Sequence, residues 1–187
     1  MQQIAATAII HPHCTLADDV IIEDFCVIGA TPRGCAPGEL QTTIGPGSHI
    51  RSHTVIYAGN RIGANFQTGN KANIREHNSI GDNVSLGTMS VVEHHVVIGD
   101  GVRIHTQVFV PEYTVLEAGC WIGPHVVFTN ARYPNSPEAK NHLAGVVVRM
   151  QAVVGANVTL LPGVEVGARA LIGAGSVLTA DAAAQGV

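Results

Sequence analysis

Aliphatic residues recur along this chain with a spacing of six. Stepping from Ile44 gives Ile50, Ile56, Ile62, Thr68, Ile74, Ile80, Leu86, Val92, Ile98, Ile104, Val110, Leu116, Ile122 and Phe128, with Thr68 the one polar member. Shorter runs in the same rhythm flank this series, at Ile10, Leu16, Ile22 and Ile28 and at Val154, Leu160, Val166, Ile172 and Leu178. Four residues after each aliphatic stands a small or β-branched residue, as at Ser48, Thr54, Ala72, Val84 and Ser90, and glycine often follows directly, as at Gly45, Gly63, Gly69, Gly81 and Gly99. A period of six fits neither an α-helix nor continuous two-residue alternation. It fits short strands joined by regular turns, with glycine supplying backbone geometry that a Cβ would hinder. The pattern predicts an all-β solenoid of hexapeptide repeats. Two stretches break the phase and predict loop excursions, near 30–43 (ATPRGCAPGELQTT) and 131–149, on an otherwise single domain spanning 1–187.

Composition narrows the function classes. Only 4% of the 187 residues are aromatic and 13% are charged, so the core is built of stacked aliphatics. A formal net charge of −4 without a Lys/Arg cluster gives no footprint for nucleic acid or anionic lipid. No stretch reaches the roughly 18 apolar residues of a membrane span, and the N-terminal MQQIAATAII lacks a basic leader, so no membrane partner and a cytoplasmic location are expected. Cys14, Cys26, Cys35 and Cys120 lack the CxxC spacing of a zinc or disulfide framework and are expected as reduced thiols. Cys14, Cys26 and Cys120 fall on the small inward position, as do Asn60 and Asn78, which are expected to stack as an internal amide ladder.

Ile-Gly-Asp-Asn-Val-Ser (80–85) and Ile-Gly-Asp-Gly-Val-Arg (98–103) resemble the hexapeptide-repeat acyltransferases. That resemblance implies a left-handed parallel β-helix in which three hexapeptides, 18 residues, close one triangular coil. Residues 18 apart then stack about 4.8 Å apart on neighbouring coils. One turn column reads Glu76, His94, Glu112, Asn130, and the next reads His77, His95, Tyr113, Ala131. Titratable groups thus gather on one edge, directly below the second excursion. With a carboxylate, Glu76 or Glu112, on each side to hold its ring, His94 is the candidate general base and His95 its support, with His77 facing the same cleft as the alternative acceptor of the proton.

Segments 50–81 and 109–136 are similar to a narrower branch, the acetyltransferases of nucleotide-linked amino sugars. Val127-Phe128-Thr129-Asn130, followed by Tyr133-Pro134, resembles that branch's active-site corner. The likeness implies that Asn130 orients the sugar or the reacting amine, that Glu112, Tyr113 and Tyr133 contact substrate, and that the excursion covers a cleft between subunits of a homotrimer. It also implies acetyl-CoA as acyl donor, its pantetheine along the backbone near Gly123, Gly155 and Gly173 and its phosphates met by Arg149 and Lys140. The chain departs from the pattern at Asn70, where many relatives carry His, and after Ala174-Gly175-Ser176-Val177, where LTADAAAQGV replaces an Asn-Pro-Ala segment. Two other classes compete with the transferase: a non-catalytic β-helix scaffold and a zinc hydratase of the carbonic-anhydrase type. The second needs a His-x4-His pair that the sequence lacks, and no metal site is expected.

Overall fold

The computed structural model describes residues 2–186. Its strands, most of two residues, assemble into three parallel sheets of nine, nine and eight strands. The chain is a left-handed parallel β-helix of hexapeptide repeats. The first sheet runs through Ile22, Ile50, Thr68, Leu86, Ile104, Ile122, Val154 and Ile172. The second runs through Ile28, Ile56, Ile74, Val92, Val110, Phe128 and Leu160, and the third through Leu16, Ile44, Ile62, Ile80, Ile98, Leu116, Val148 and Val166. In the two-residue strands between the terminal coils the second residue points inward and is buried, as the six-residue rhythm predicts; Val92, Ile74 and Leu116 are completely covered, while Ile4 in the first coil is 41% exposed. The small residue four places on closes the next corner: Ser48, Thr54, Val84, Ser90 and Val96 are all buried.

Mid-chain pairing keeps the expected step, Ile74 with Val92 and Ile80 with Ile98. Across the first excursion the step lengthens, so that Ile22 pairs with Ile50, and across the second Ile122 pairs with Val154. The first excursion is tighter than the sequence suggests, and the second is shifted toward the N-terminus. The first lies between strands Val27–Ala30 and Thr42–Ile44, the second between Val127–Phe128 and Val147–Val148. Both leave the same edge of the prism, the one joining the second sheet to the third. The neck of the second is pinned where the Ala144 N–H donates to the Asn130 carbonyl at 2.8 Å. Gly145 then lies so close against the Tyr113 carbonyl that a Cβ has no room.

The inward asparagines are on the predicted column, but they do not bond to each other's side chains. The Asn60 carboxamide accepts from the Asn78 backbone N–H (3.0 Å), and the Asn78 carboxamide accepts from the Val96 N–H (2.7 Å). Both amide groups donate to the Arg75 carbonyl, at 2.7 and 2.8 Å. A carboxamide reaches the main chain of the adjacent coil more readily than the neighbouring side chain, because the turn directs open backbone groups inward. These bonds fix the backbone of the second–third edge from inside. Asn78→Ala leaves the buried Val96 N–H without its acceptor and the Arg75 carbonyl with one donor fewer, so a loss of about 2 kcal/mol is expected in urea unfolding.

Candidate functional site

At the first–second and third–first edges the residue after the buried aliphatic is mostly glycine. Gly63, Gly81, Gly87 and Gly123 have no space for a Cβ because the backbone of the next coil fills it. The second–third edge is built differently: Tyr57, Arg75, Glu93, Pro111 and Thr129 occupy that place. Beside them stand Glu76, His94, Glu112 and Asn130, and then His77, His95 and Tyr113. The last three adopt left-handed backbone, with φ of 59°, 58° and 65°. For residues with a Cβ this conformation costs of order 1 kcal/mol each. The turn geometry imposes it, and it projects three rings from one corner.

The structure brings these columns into one network. The Arg75 guanidinium holds Glu76 through two hydrogen bonds of 2.9 Å, reaches Glu93 at 3.3 Å and lies over the Tyr57 ring at 5.1 Å. His94 lies between carboxylates in register, but its direct partners are different. Its Nε2 faces Glu112 Oε1 at 3.7 Å, and its Nδ1 is 2.9 Å from Nδ1 of His95. Glu76 is engaged by Arg75, so the expected clamp of two carboxylates on His94 is replaced by one carboxylate and one imidazole. Asn130 donates to Glu112 Oε2 at 2.7 Å and to the Glu112 carbonyl at 3.4 Å. The His95 ring sits 5.1 Å from that of His77 and 5.8 Å from that of Tyr113.

Burial and charge act differently on each group. Burial pushes the Glu76 carboxyl up, but the hydrogen bonds and charge of Arg75 outweigh it and hold the group below the usual carboxylate range. Glu93 is pushed up by burial, with the Glu112 charge adding to it and Arg75 opposing. The Arg75 guanidinium is held more firmly protonated, chiefly by its bonds to Glu76. Burial and then the neighbouring His94 and His77 keep His95 below the ordinary histidine range, so it is neutral at pH 7 and able to accept a proton.

The depressed Glu76 stabilises the fold above the ordinary carboxylate range, and that contribution is lost as pH falls through its folded value. Glu93 has the opposite sign: its raised folded value disfavours the fold at neutral pH and relaxes on acidification. Glu76→Gln should therefore show a smaller acid-induced drop in the urea midpoint than wild type, measured from neutrality down through the carboxylate range.

Other expected positions fall elsewhere. Tyr133 is 72% exposed on the excursion. It lines a separate hollow of about 360 Å³ with Arg132, Ser136, Glu138, His142 and Pro162. Lys140 is exposed in the short 3₁₀ turn Ala139–His142. The Arg149 guanidinium spans Glu165, at 2.7 and 2.8 Å, and Glu117, at 2.8 Å, so a phosphate there would share it with two carboxylates. At Gly123 and Gly155 the space a Cβ would occupy is filled by the backbone of the next coil. Gly173 is more open, with only the Ser176 hydroxyl near, at 3.8 Å. Gly123, Gly155 and Gly173 all stack on the first–second edge, away from the histidines.

Arg75 and Glu93 are the members of the network that the sequence reading missed. The signal was present in the departure from glycine along one column in three. Among the described residues no three His, Cys, Asp or Glu side chains converge as a metal cluster.

A left-handed β-helix with one edge of its turns converted from glycine to charged and ring residues is a hexapeptide-repeat protein carrying a polar corner. The model of the bacterial transferase hexapeptide family (six repeats) matches residues 79–112 and 145–180. No curated protein matches the chain. Among solved structures it is similar to UDP-N-acetylglucosamine acyltransferase of Francisella novicida, at 20% identity over 96% of this chain and 63% of that one, with a TM-score of 0.46. It is also similar to GDP-perosamine N-acetyl transferase of Caulobacter crescentus in complex with CoA and GDP-perosamine, at 17% identity over 98% and 50%, TM-score 0.34. A third likeness is the polySia specific acetyltransferase NeuO, at 16% identity over 96% and 81%, TM-score 0.44. The chain thus spans half to under two thirds of the length of the first two.

Proposed function

We propose that this chain transfers an acetyl group from acetyl-CoA to the amino group of a nucleotide-linked sugar, at the second–third edge and as a homotrimer. The observation that carries the reading is the connected corner Asn130, Glu112, His94 and His95, framed by two excursions that leave the same edge. The hexapeptide transferase repeats and the Val127-Phe128-Thr129-Asn130 element support it. Acyl transfer from a thioester needs a neutral amine held against the carbonyl and a group that takes its proton. A new C–N bond forms, the C–S bond breaks, and the amine proton passes through the protein to the departing thiolate. A neutral imidazole in a half-buried polar corner suits that role, and the exposed Tyr113 ring beside it offers a surface for a base or a sugar.

The donor is placed in a groove between chains, along the first–second edge where the turn glycines stack. A hollow of about 290 Å³ on the first–second edge, bounded by Gln67, Ser85, Arg103, His105 and Thr106, is the surface that a neighbouring copy would complete. A single chain carries the histidines and this hollow on different edges, so threefold association is the simplest way to unite them. The test is thiol release from acetyl-CoA across a panel of nucleotide-linked 3-amino and 4-amino sugars, with calorimetry of acetyl-CoA alone. Turnover with one amino sugar is the expected result. Silence across the panel together with no acetyl-CoA binding would favour a β-helix scaffold instead.

A further inference from the structure

The His94–His95 contact joins like atoms: Nδ1 to Nδ1 at 2.9 Å, with the rings near perpendicular at 87°. A hydrogen bond between two imidazole nitrogens needs one to bear the proton and the other to offer its lone pair. Two neutral arrangements exist. If His94 is the donor, its Nε2 lone pair confronts Glu112 Oε1 at 3.7 Å, lone pair against carboxylate. If His95 is the donor, His94 carries its proton on Nε2 and points it at Glu112. Asn130 occupies the other oxygen of that carboxylate at 2.7 Å and leaves Oε1 turned toward His94.

We infer that His95 donates its Nδ1 proton to His94, that the open lone pair of the couple is therefore His95 Nε2, and that His95 is the base that meets the acceptor amine. His94 is a positioning residue. When His95 Nε2 takes the amine proton, its Nδ1 proton can cross to His94 Nδ1, and the positive charge comes to rest beside Glu112. One N–H bond forms at His95 Nε2, one breaks at His95 Nδ1 and one forms at His94 Nδ1, so the pair gains a single proton. The reverse passage returns that proton to the thiolate.

Charge around the couple suits this path. Glu112 faces His94 and Glu76 lies in its column, while Glu93 precedes it in sequence and is itself paired with Arg75. The His77 and Tyr113 rings cover His95 from below and above, which favours its neutral state. This reverses the roles expected from the column arithmetic, because register places His94 between carboxylates without showing which ring nitrogen is already spoken for.

The inference rests on the acyl-transfer reading for its chemistry, but the proton arrangement can be read without turnover. In histidine-labelled protein, ¹⁵N shifts at slightly alkaline pH separate protonated from bare ring nitrogens, and His94→Gln and His95→Gln assign the signals. The expected pattern is a protonated Nε2 on His94 and a bare Nε2 on His95; a bare Nε2 on His94 overturns the inference. In turnover, His95→Gln should lower kcat by about 100-fold or more. Glu112→Gln removes the carboxylate that stabilises the imidazolium, so the acid limb of the rate profile should move to lower pH, a change that a purely structural role would not produce. A His95→Gln protein that keeps its kcat also overturns the inference. Absence of turnover with the expected nitrogen pattern would sink the acyl-transfer reading and the assignment of His95 as base, and leave the proton arrangement standing.

Discussion

Asn130→Ala should lower kcat/KM by about 100-fold, equivalent to about 2.7 kcal/mol of transition-state stabilisation, while the folded state stays intact. The effect travels along a chain of contacts. Asn130 holds Glu112 Oε2 at 2.7 Å, Glu112 Oε1 faces His94, and His94 receives the proton of His95. Without the amide, Glu112 is free to turn into solvent and the charge formed on His94 loses its counterpart. Most of the loss should fall on kcat, since the interaction grows as charge develops. Asn130→Asp should do no better, because it sets a second carboxylate against Glu112. The stability of both variants should remain near wild type, as the Asn130 amide bonds to a part-buried side chain at the surface of the coil rather than to the core. Steady-state kinetics paired with urea unfolding checks both halves of the expectation.

Phe128→Ala should be among the most damaging substitutions for the fold, at about 3–5 kcal/mol. Phe128 is completely buried, pairs in register with Leu160, and ends the strand from which Thr129 and Asn130 emerge. Its ring fills the axis at the coil where the second excursion departs, and the regular strand pairing above and below leaves little room for collapse. Phe66 is equally buried and lies several coils away on the other side of the histidines. Phe66→Ala should show a comparable loss, so the pair separates the cost of a cavity from any effect particular to the corner. Urea midpoints and m-values of the two variants measure this directly.

The sequence was most informative where physics repeats. A buried aliphatic every six residues leaves few solutions, and the register of Ile74, Val92 and Val110 follows from it. The columns at residues 76 to 130 were legible for the same reason, since stacking converts an 18-residue step into a neighbour. Side-chain direction was not legible. Glu76 and Glu112 both flank His94 in the column, yet Arg75 captures the first because a bidentate guanidinium pair is geometrically better than a carboxylate–imidazole contact one coil apart. Arg149 reads as a free cation along the chain and is engaged by Glu117 and Glu165, whose pairing depends on the length of the second excursion. Gly123 and Gly155 show the same limit: glycine marks a close approach, and only the three-dimensional arrangement shows that the approaching group is the next coil.

We propose that this corner moves an acetyl group onto an amine. The most direct test follows ¹³C-acetyl-CoA incubated with the protein and the panel of nucleotide-linked amino sugars, with the product read by mass and by carbon NMR. The expected result is one sugar bearing labelled acetyl on its amino nitrogen, free CoA in equal amount, and loss of that product in Asn130→Ala and His95→Gln proteins of unchanged fold. Labelled product formed at undiminished rate by both variants, or no labelled sugar from a wild-type protein, would contradict it.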